Sequence, residues 1–216
     1  MAAYIYKMYI GNGYCVNFAD AHDNCSVVQL NVLYPFALWA GDETMRRYAA
    51  WIAKEKDFFH RPSTLFAASG NFPTLGRELF LLSNLHQLQA EKPAEPLLEN
   101  VWLPDLQIMT ARNNNKKHDF YVAMKGGTNA ESHNHNDVGS FIVYADAQPL
   151  LIDVGVGEYT SATFSADRYK LWTMQSAYHN LPKINGVDQH EGEIYRATRV
   201  EYHPKSLAMD IAPAYP

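Results

Sequence analysis

The stretch Lys125–Asp153, KGGTNAESHNHNDVGSFIVYADAQPLLID, decides how this chain folds. Its second half carries two β-rich runs, FIVY and PLLI, separated by an Ala-Asp-Ala-Gln turn (residues 145–148). Runs of that composition around a short polar turn predict an antiparallel hairpin. Upstream, WLPDLQIMTAR (Trp102–Arg112) and HDFYVAMKGG (His118–Gly127) alternate or run apolar over strand-like lengths. The reading outward from the hairpin is therefore antiparallel β-structure.

Further toward the N-terminus the period changes. In DETMRRYAAWIAKEKDF (Asp42–Phe58), Asp42 is a candidate N-cap, and Met45, Tyr48, Ala49 and Ile52 follow at the spacing of one buried helical face. A second helix is expected over Thr74–Gln89, with Leu75, Leu79, Leu82 and Leu85 as its apolar stripe and Phe80 and Leu88 beside them. Ser26–Ala40 is a third helical candidate, interrupted by Pro35. Pro93, Pro96 and Pro104 mark the connection, and Asn113–Lys117, NNNKK, reads as a polar turn. The expected organisation is α+β, with residues 1–95 part of a helical array and 96–216 an antiparallel β-sandwich. Both parts are short for closed domains, so truncation at both ends is expected.

Composition narrows the function classes. Hydrophobic residues make up 47% and charged residues 19%, which fits a folded chain rather than a disordered one. The net charge is −5 and no basic run is present, so neither nucleic acid nor a membrane surface is an expected partner. No apolar stretch reaches the roughly 18 residues of a transmembrane helix. The opening MAAYIYKMYIGNGYC lacks the pattern of a secretion signal. Cys15 and Cys25 are as compatible with a disulfide as with two free thiols. Aromatics at 13% suit a sugar-stacking surface and an aromatic core alike.

The chemistry concentrates in SHNHND. His133 and His135 are two apart, so on extended backbone they share a face, and Asp137 continues it. Such a group is expensive to desolvate without a partner, and a divalent metal is one. A metallo-β-lactamase pattern fails at Val138, and a cupin pattern beginning at Gly127 fails at Gly139 and Ser140. Downstream, Asp153 ends an apolar strand, where a ligand, a cap and a turn former are the alternatives. His179 and Asn180 stand in a polar loop. His135, Asp153 and His179 make a set of three ligands with a fourth position for water, provided the fold gathers them.

Three ordered blocks, SHNHNDVGSFIVY, LLIDVGVGEYT and RYKLWTMQSAYHNLPKINGV, resemble the heparinase II/III family of polysaccharide lyases. WLPDLQIMTAR and IGNGYCVNFADA are similar to further segments of that family. The resemblance implies the tail of an α/α toroid followed by an antiparallel β-sandwich. It implies β-elimination on a uronic-acid-containing polysaccharide of the heparin, heparan sulfate or alginate kind. His133 matches the family's catalytic histidine, and His135, Asp153 and His179 match the ligands of one mainly structural zinc. Tyr159 and Arg168 are candidate substrate-side groups. A tyrosine and its asparagine or histidine partner, which the family carries further upstream in the toroid, match no residue here. The partner implied is an acidic polysaccharide, and the location implied is periplasmic or secreted. The competing reading is a non-catalytic carbohydrate-binding or structural module that keeps the metal site. Lys125, Arg168 and Lys170 are too few and scattered to identify a sulfated substrate.

Overall fold

Gly41 and Asp42 form the joint from which the helical part is built. The computed structural model describes residues 3–25, 29–60, 75–113 and 118–216. It divides into one unit of residues 1–9 and 24–97 and a second of residues 10–23 and 98–216. Helix α1 (Tyr4–Lys7) is one turn, and α2 (Leu30–Ala40) runs through Pro35. Gly41 then takes a left-handed conformation (φ 64°), and the Asp42 amide donates back to the Ala37 carbonyl at 3.0 Å. The Asp42 carboxylate immediately caps α3 (Glu43–Glu55), accepting from the Met45 amide at 2.9 Å. Met45, Tyr48, Ala49 and Ile52 are buried as their spacing requires.

The next helix departs from its expected face. It breaks at Asn84 into α4 (Leu75–Ser83) and α5 (Leu85–Ala90). Leu75, Leu79, Phe80 and Leu82 are exposed, whereas Leu81, Leu88 and Glu78 are buried. Glu78 shares the inner face with Leu81, and there the buried Asn31 amide of α2 donates to it at 2.6 Å. The expected starts of two helices, at residues 26–28 and 74, and residues 114–117 of the polar turn lie outside the described residues.

In the second unit, β3 (Asn100–Leu103), β4 (Ile108–Arg112), β5 (Phe120–Lys125), β7 (Phe141–Ala145) and β8 (Gln148–Leu151) form one antiparallel sheet in that order. The expected hairpin is β7–β8. Ala145 faces Gln148, and Asp146 and Ala147 both take positive φ (52° and 54°), the signature of a two-residue type I′ turn. Two ribbons follow the sheet in this unit: β6 (Thr128–Asn129) with β9 (Gly192–Arg196), and β10 (Thr198–His203) with β11 (Ser206–Asp210).

Residues 10–23 belong to the same unit although they precede the helices. A hairpin of β1 (Tyr9–Gly11) and β2 (Tyr14–Cys15) turns at Asn12-Gly13, again with both φ positive. Arg112 donates to the Ile10 carbonyl, and Tyr14 packs on Tyr144 at 5.6 Å between ring centroids. Asn17 reaches the Asp153 carbonyl at 3.4 Å. These contacts carry Asp20 to the site described below. Both cysteines are disulfide-bonded, which settles the alternative left open by the sequence. No described helix is long and apolar enough to cross a membrane.

The buried phenols of the helical unit set an alkaline limit. Burial and the Asp42 carboxylate push Tyr6 up to about 12, and burial and Glu91 do the same for Tyr34. Because the unfolded phenol ionises near 10, their contribution is complete below that pH and is lost as pH rises through about 12. Denaturant midpoints should therefore fall as pH rises from about 10 to about 12. A Tyr6→Phe, Tyr34→Phe double variant should show a flatter decline.

Candidate functional site

The loop from Gly126 to Ser140 is polar, and most of it from Asn134 onward is buried. Asn134, His135, Asn136, Asp137 and Ser140 are each at most 3% exposed. It is not an extended strand, because His133 takes φ 58°. The expectation of one shared face for His133, His135 and Asp137 therefore fails. The His133 side chain is 53% exposed, while His135 and Asp137 point inward.

Asp137 is committed elsewhere. Its Oδ1 pairs with Lys125 Nζ at 2.5 Å, and Glu131 approaches the same ammonium at 3.3 Å. Burial would lower the Lys125 pKa, but the two carboxylates hold it above its ordinary value. Lys125 is thus an internal counter-charge and does not face a substrate. Gln189 holds the loop from the other side: its Oε1 accepts from Val138 N (3.1 Å) and Asn129 Nδ2 (3.0 Å), and its Nε2 donates to Val138 O (2.7 Å).

His135, Asp153 and His179 do come together. Each offers a ligand atom within 4.8 Å of the others, and all three residues are buried. Three different local devices deliver them. Asp153 ends the β8 run and makes a turn, with Oδ1 accepting from Gly155 N at 2.9 Å and leaving Oδ2 for His179 Nδ1 at 2.8 Å. Asn180 donates to Phe141 O (2.7 Å) and Ile152 O (2.9 Å), and so anchors its neighbour His179 over the β7–β8 hairpin. Asn136 N donates to Met174 O at 2.9 Å, which seats His135 against the same segment.

The donor set suits a divalent cation. His179 Nε2 donates to the Thr173 carbonyl at 3.1 Å, so Nδ1 is its inward atom. His135 Nε2 donates to Asp20 Oδ1 at 2.9 Å, so its inward atom is also Nδ1. That Nδ1 is buried and has no hydrogen-bond partner among the described residues. Burial lowers the His135 pKa against the pull of Asp20, which keeps the imidazole in its ligating neutral form. Burial also opposes charge on His179, but the Asp153 hydrogen bond and charge raise its pKa overall. A proton on His179 Nδ1 satisfies Asp153 and leaves the His135 lone pair bare. A cation satisfies all three. Each histidine already has the outer partner on its other nitrogen that metal-bound imidazoles carry.

One residue at this site has no signal in motif spacing. Asp20 accepts four hydrogen bonds: from His133 Nδ1 (2.7 Å), His135 Nε2 (2.9 Å), Arg168 (3.0 Å) and Tyr159 OH (3.0 Å). Burial alone would raise the Asp20 pKa, but the two histidines, Arg168 and Tyr159 together hold it below the ordinary value. The other two nitrogens of Arg168 each donate to a carbonyl, Nε to Asn134 O (2.9 Å) and Nη1 to Thr163 O (3.0 Å). Its guanidinium therefore braces the loop and Asp20. Tyr159 is half-exposed and stands next to His133 through their shared acceptor. Lys170 is exposed and pairs with Asp167 at 2.6 Å.

A family model described as heparinase II/III-like, C-terminal, matches residues 96–207, just over half of the chain. No curated protein matches it. The match spans all three ligand candidates and His133, and the chain belongs to the heparinase II/III-like C-terminal domain family.

Proposed function

We propose that this chain is part of a polysaccharide lyase that cleaves a uronic-acid-containing polymer by β-elimination. On this reading residues 1–95 are the tail of an α/α toroid, 96–216 belong to a β-sandwich, and the full enzyme is exported. The observation that carries the proposal is the placement of His133. Its Nδ1–H is held by Asp20, and its ring is half-exposed directly beside the buried His135–Asp153–His179 group.

Elimination needs a base for the proton on C5 of the uronate, an acid for the departing glycosidic oxygen, and relief of charge on the carboxylate. With Nδ1 donating to Asp20, His133 presents Nε2 as a free lone pair on the solvent side. That atom takes the C5 proton, the C–H pair becomes the C4–C5 double bond, and the bond from C4 to oxygen breaks with its electron pair going to the glycosidic oxygen, which the acid protonates as it leaves. Histidine suits this task because an imidazole exchanges protons near neutrality. Burial and the Asp20 hydrogen bond raise the pKa of Tyr159, which keeps its phenol protonated as a donor beside the base. Zinc on His135, Asp153 and His179 would neutralise the buried carboxylate and tie three segments together. The reaction itself belongs to the exposed face.

Two outcomes follow. Alanine at His135, Asp153 or His179 should cut zinc affinity by more than the ~10–100-fold that loss of an outer-shell partner costs, and should lower the melting temperature measured with zinc. Metal analysis of the purified variants with parallel melts checks this. His133→Ala should keep the metal and lose roughly 10²–10⁴-fold in formation of unsaturated uronate, followed by ultraviolet absorbance on alginate and heparan sulfate. Loss of metal in His133→Ala would refute the division between the two histidines. Polymer binding by the wild type with no unsaturated product would favour the non-catalytic carbohydrate-binding module.

A further inference from the structure

Asp20 lies outside the family-matched segment, yet its carboxylate touches both halves of the site. Its two oxygens divide the work. Oδ1 receives His135 and Arg168, and Oδ2 receives His133 and Tyr159. A carboxylate only accepts, so both imidazoles must present an N–H to it. For His135 that fixes the proton on Nε2 and turns the Nδ1 lone pair toward Asp153 and His179. For His133 it fixes the proton on Nδ1 and turns the Nε2 lone pair outward. Neighbouring histidines are thus set in opposite tautomers by one side chain, which is 6% exposed.

We infer that Asp20 is a positioning residue that selects both tautomers at once, making His135 a ligand through Nδ1 and His133 a base through Nε2. The inference rests on the lyase reading for the word base, but the tautomers are properties of the chain alone. Backbone strain at His133, a non-glycine residue at φ 58°, fits a side chain held in place by such a partner. A buried aspartate fixes imidazole orientation in the Ser-His-Asp triad by the same logic.

Asparagine separates the two roles. Arg168 has no acceptor, so the carbonyl oxygen of Asp20→Asn must stay on the Arg168 and His135 side. The amide NH₂ then faces His133 Nδ1 and forces that ring into the Nε2–H tautomer. Expected results are zinc affinity within a few-fold of wild type for Asp20→Asn, measured by chelator competition, and an inverted His133 tautomer. The tautomer is read from long-range ¹H–¹⁵N correlations of the imidazole, assigned with His133→Ala. Asp20→Ala should weaken zinc by about 10–100-fold, as loss of an outer-shell partner does.

A His133 that keeps Nδ1–H in a folded Asp20→Asn variant would overturn the inference, and so would wild-type zinc affinity in Asp20→Ala. A wild-type chain that takes up no zinc would overturn the metal half together with the function proposed above. Failure of elimination with the tautomer result intact would sink the lyase reading and leave Asp20's role standing.

Discussion

Burying a polar loop is the constraint on which the second unit depends. Five polar residues between Asn134 and Ser140 are withdrawn from water, and buried polar groups left without partners cost more than most single contacts return. The unit meets part of this with partners from distant chain positions, while Asn134 Oδ1, Asp137 Oδ2 and Ser140 Oγ are buried with no hydrogen-bond partner among the described residues. Lys125 answers Asp137, Gln189 answers Val138 and Asn129, and Asp20 answers His135. The sheet supplies the platform, but the loop's conformation is specified by these hydrogen bonds. The arrangement they hold includes left-handed backbone at His133.

Within that arrangement, inside and outside have separate chemistry. The inner group of His135, Asp153 and His179 is buried and has a lone pair turned toward it, the setting for a cation. The outer pair, His133 and Tyr159, is half-exposed to solvent. Asp20 lies between them and links the two, Oδ1 to His135 and Oδ2 to His133 and Tyr159, with Arg168 paired to Oδ1 at 3.0 Å.

Local pattern made part of this legible. Helix α3 follows from its buried-face spacing and the Asp42 cap, and the β7–β8 hairpin from its runs and turn, because both signals lie within a few residues of each other. The grouping of His135, Asp153 and His179 was readable from three ordered blocks, although spacing alone could not show that they meet. Three features were out of reach for the same physical reason: each is decided by a partner far along the chain. The inward place of Glu78 on α4 is matched by Asn31, the fate of Asp137 is set by Lys125, and the relevance of Asp20 by histidines more than a hundred residues later. Asp20 lay within a stretch noted as family-like, but a lone aspartate in a loop carries no periodicity to single it out.

The early position of Asp20 bears on where this module can be cut. A piece excised at residue 96, where the family match begins, would keep His133 and all three ligand candidates. It would also lack the acceptor for two ring nitrogens and the Asn17 and Ile10 contacts to Asp153 and Arg112. The folding module and the recognisable sequence block are therefore different objects. Any transplant of the site into another scaffold must bring along a short hairpin that the chain makes before its first long helix.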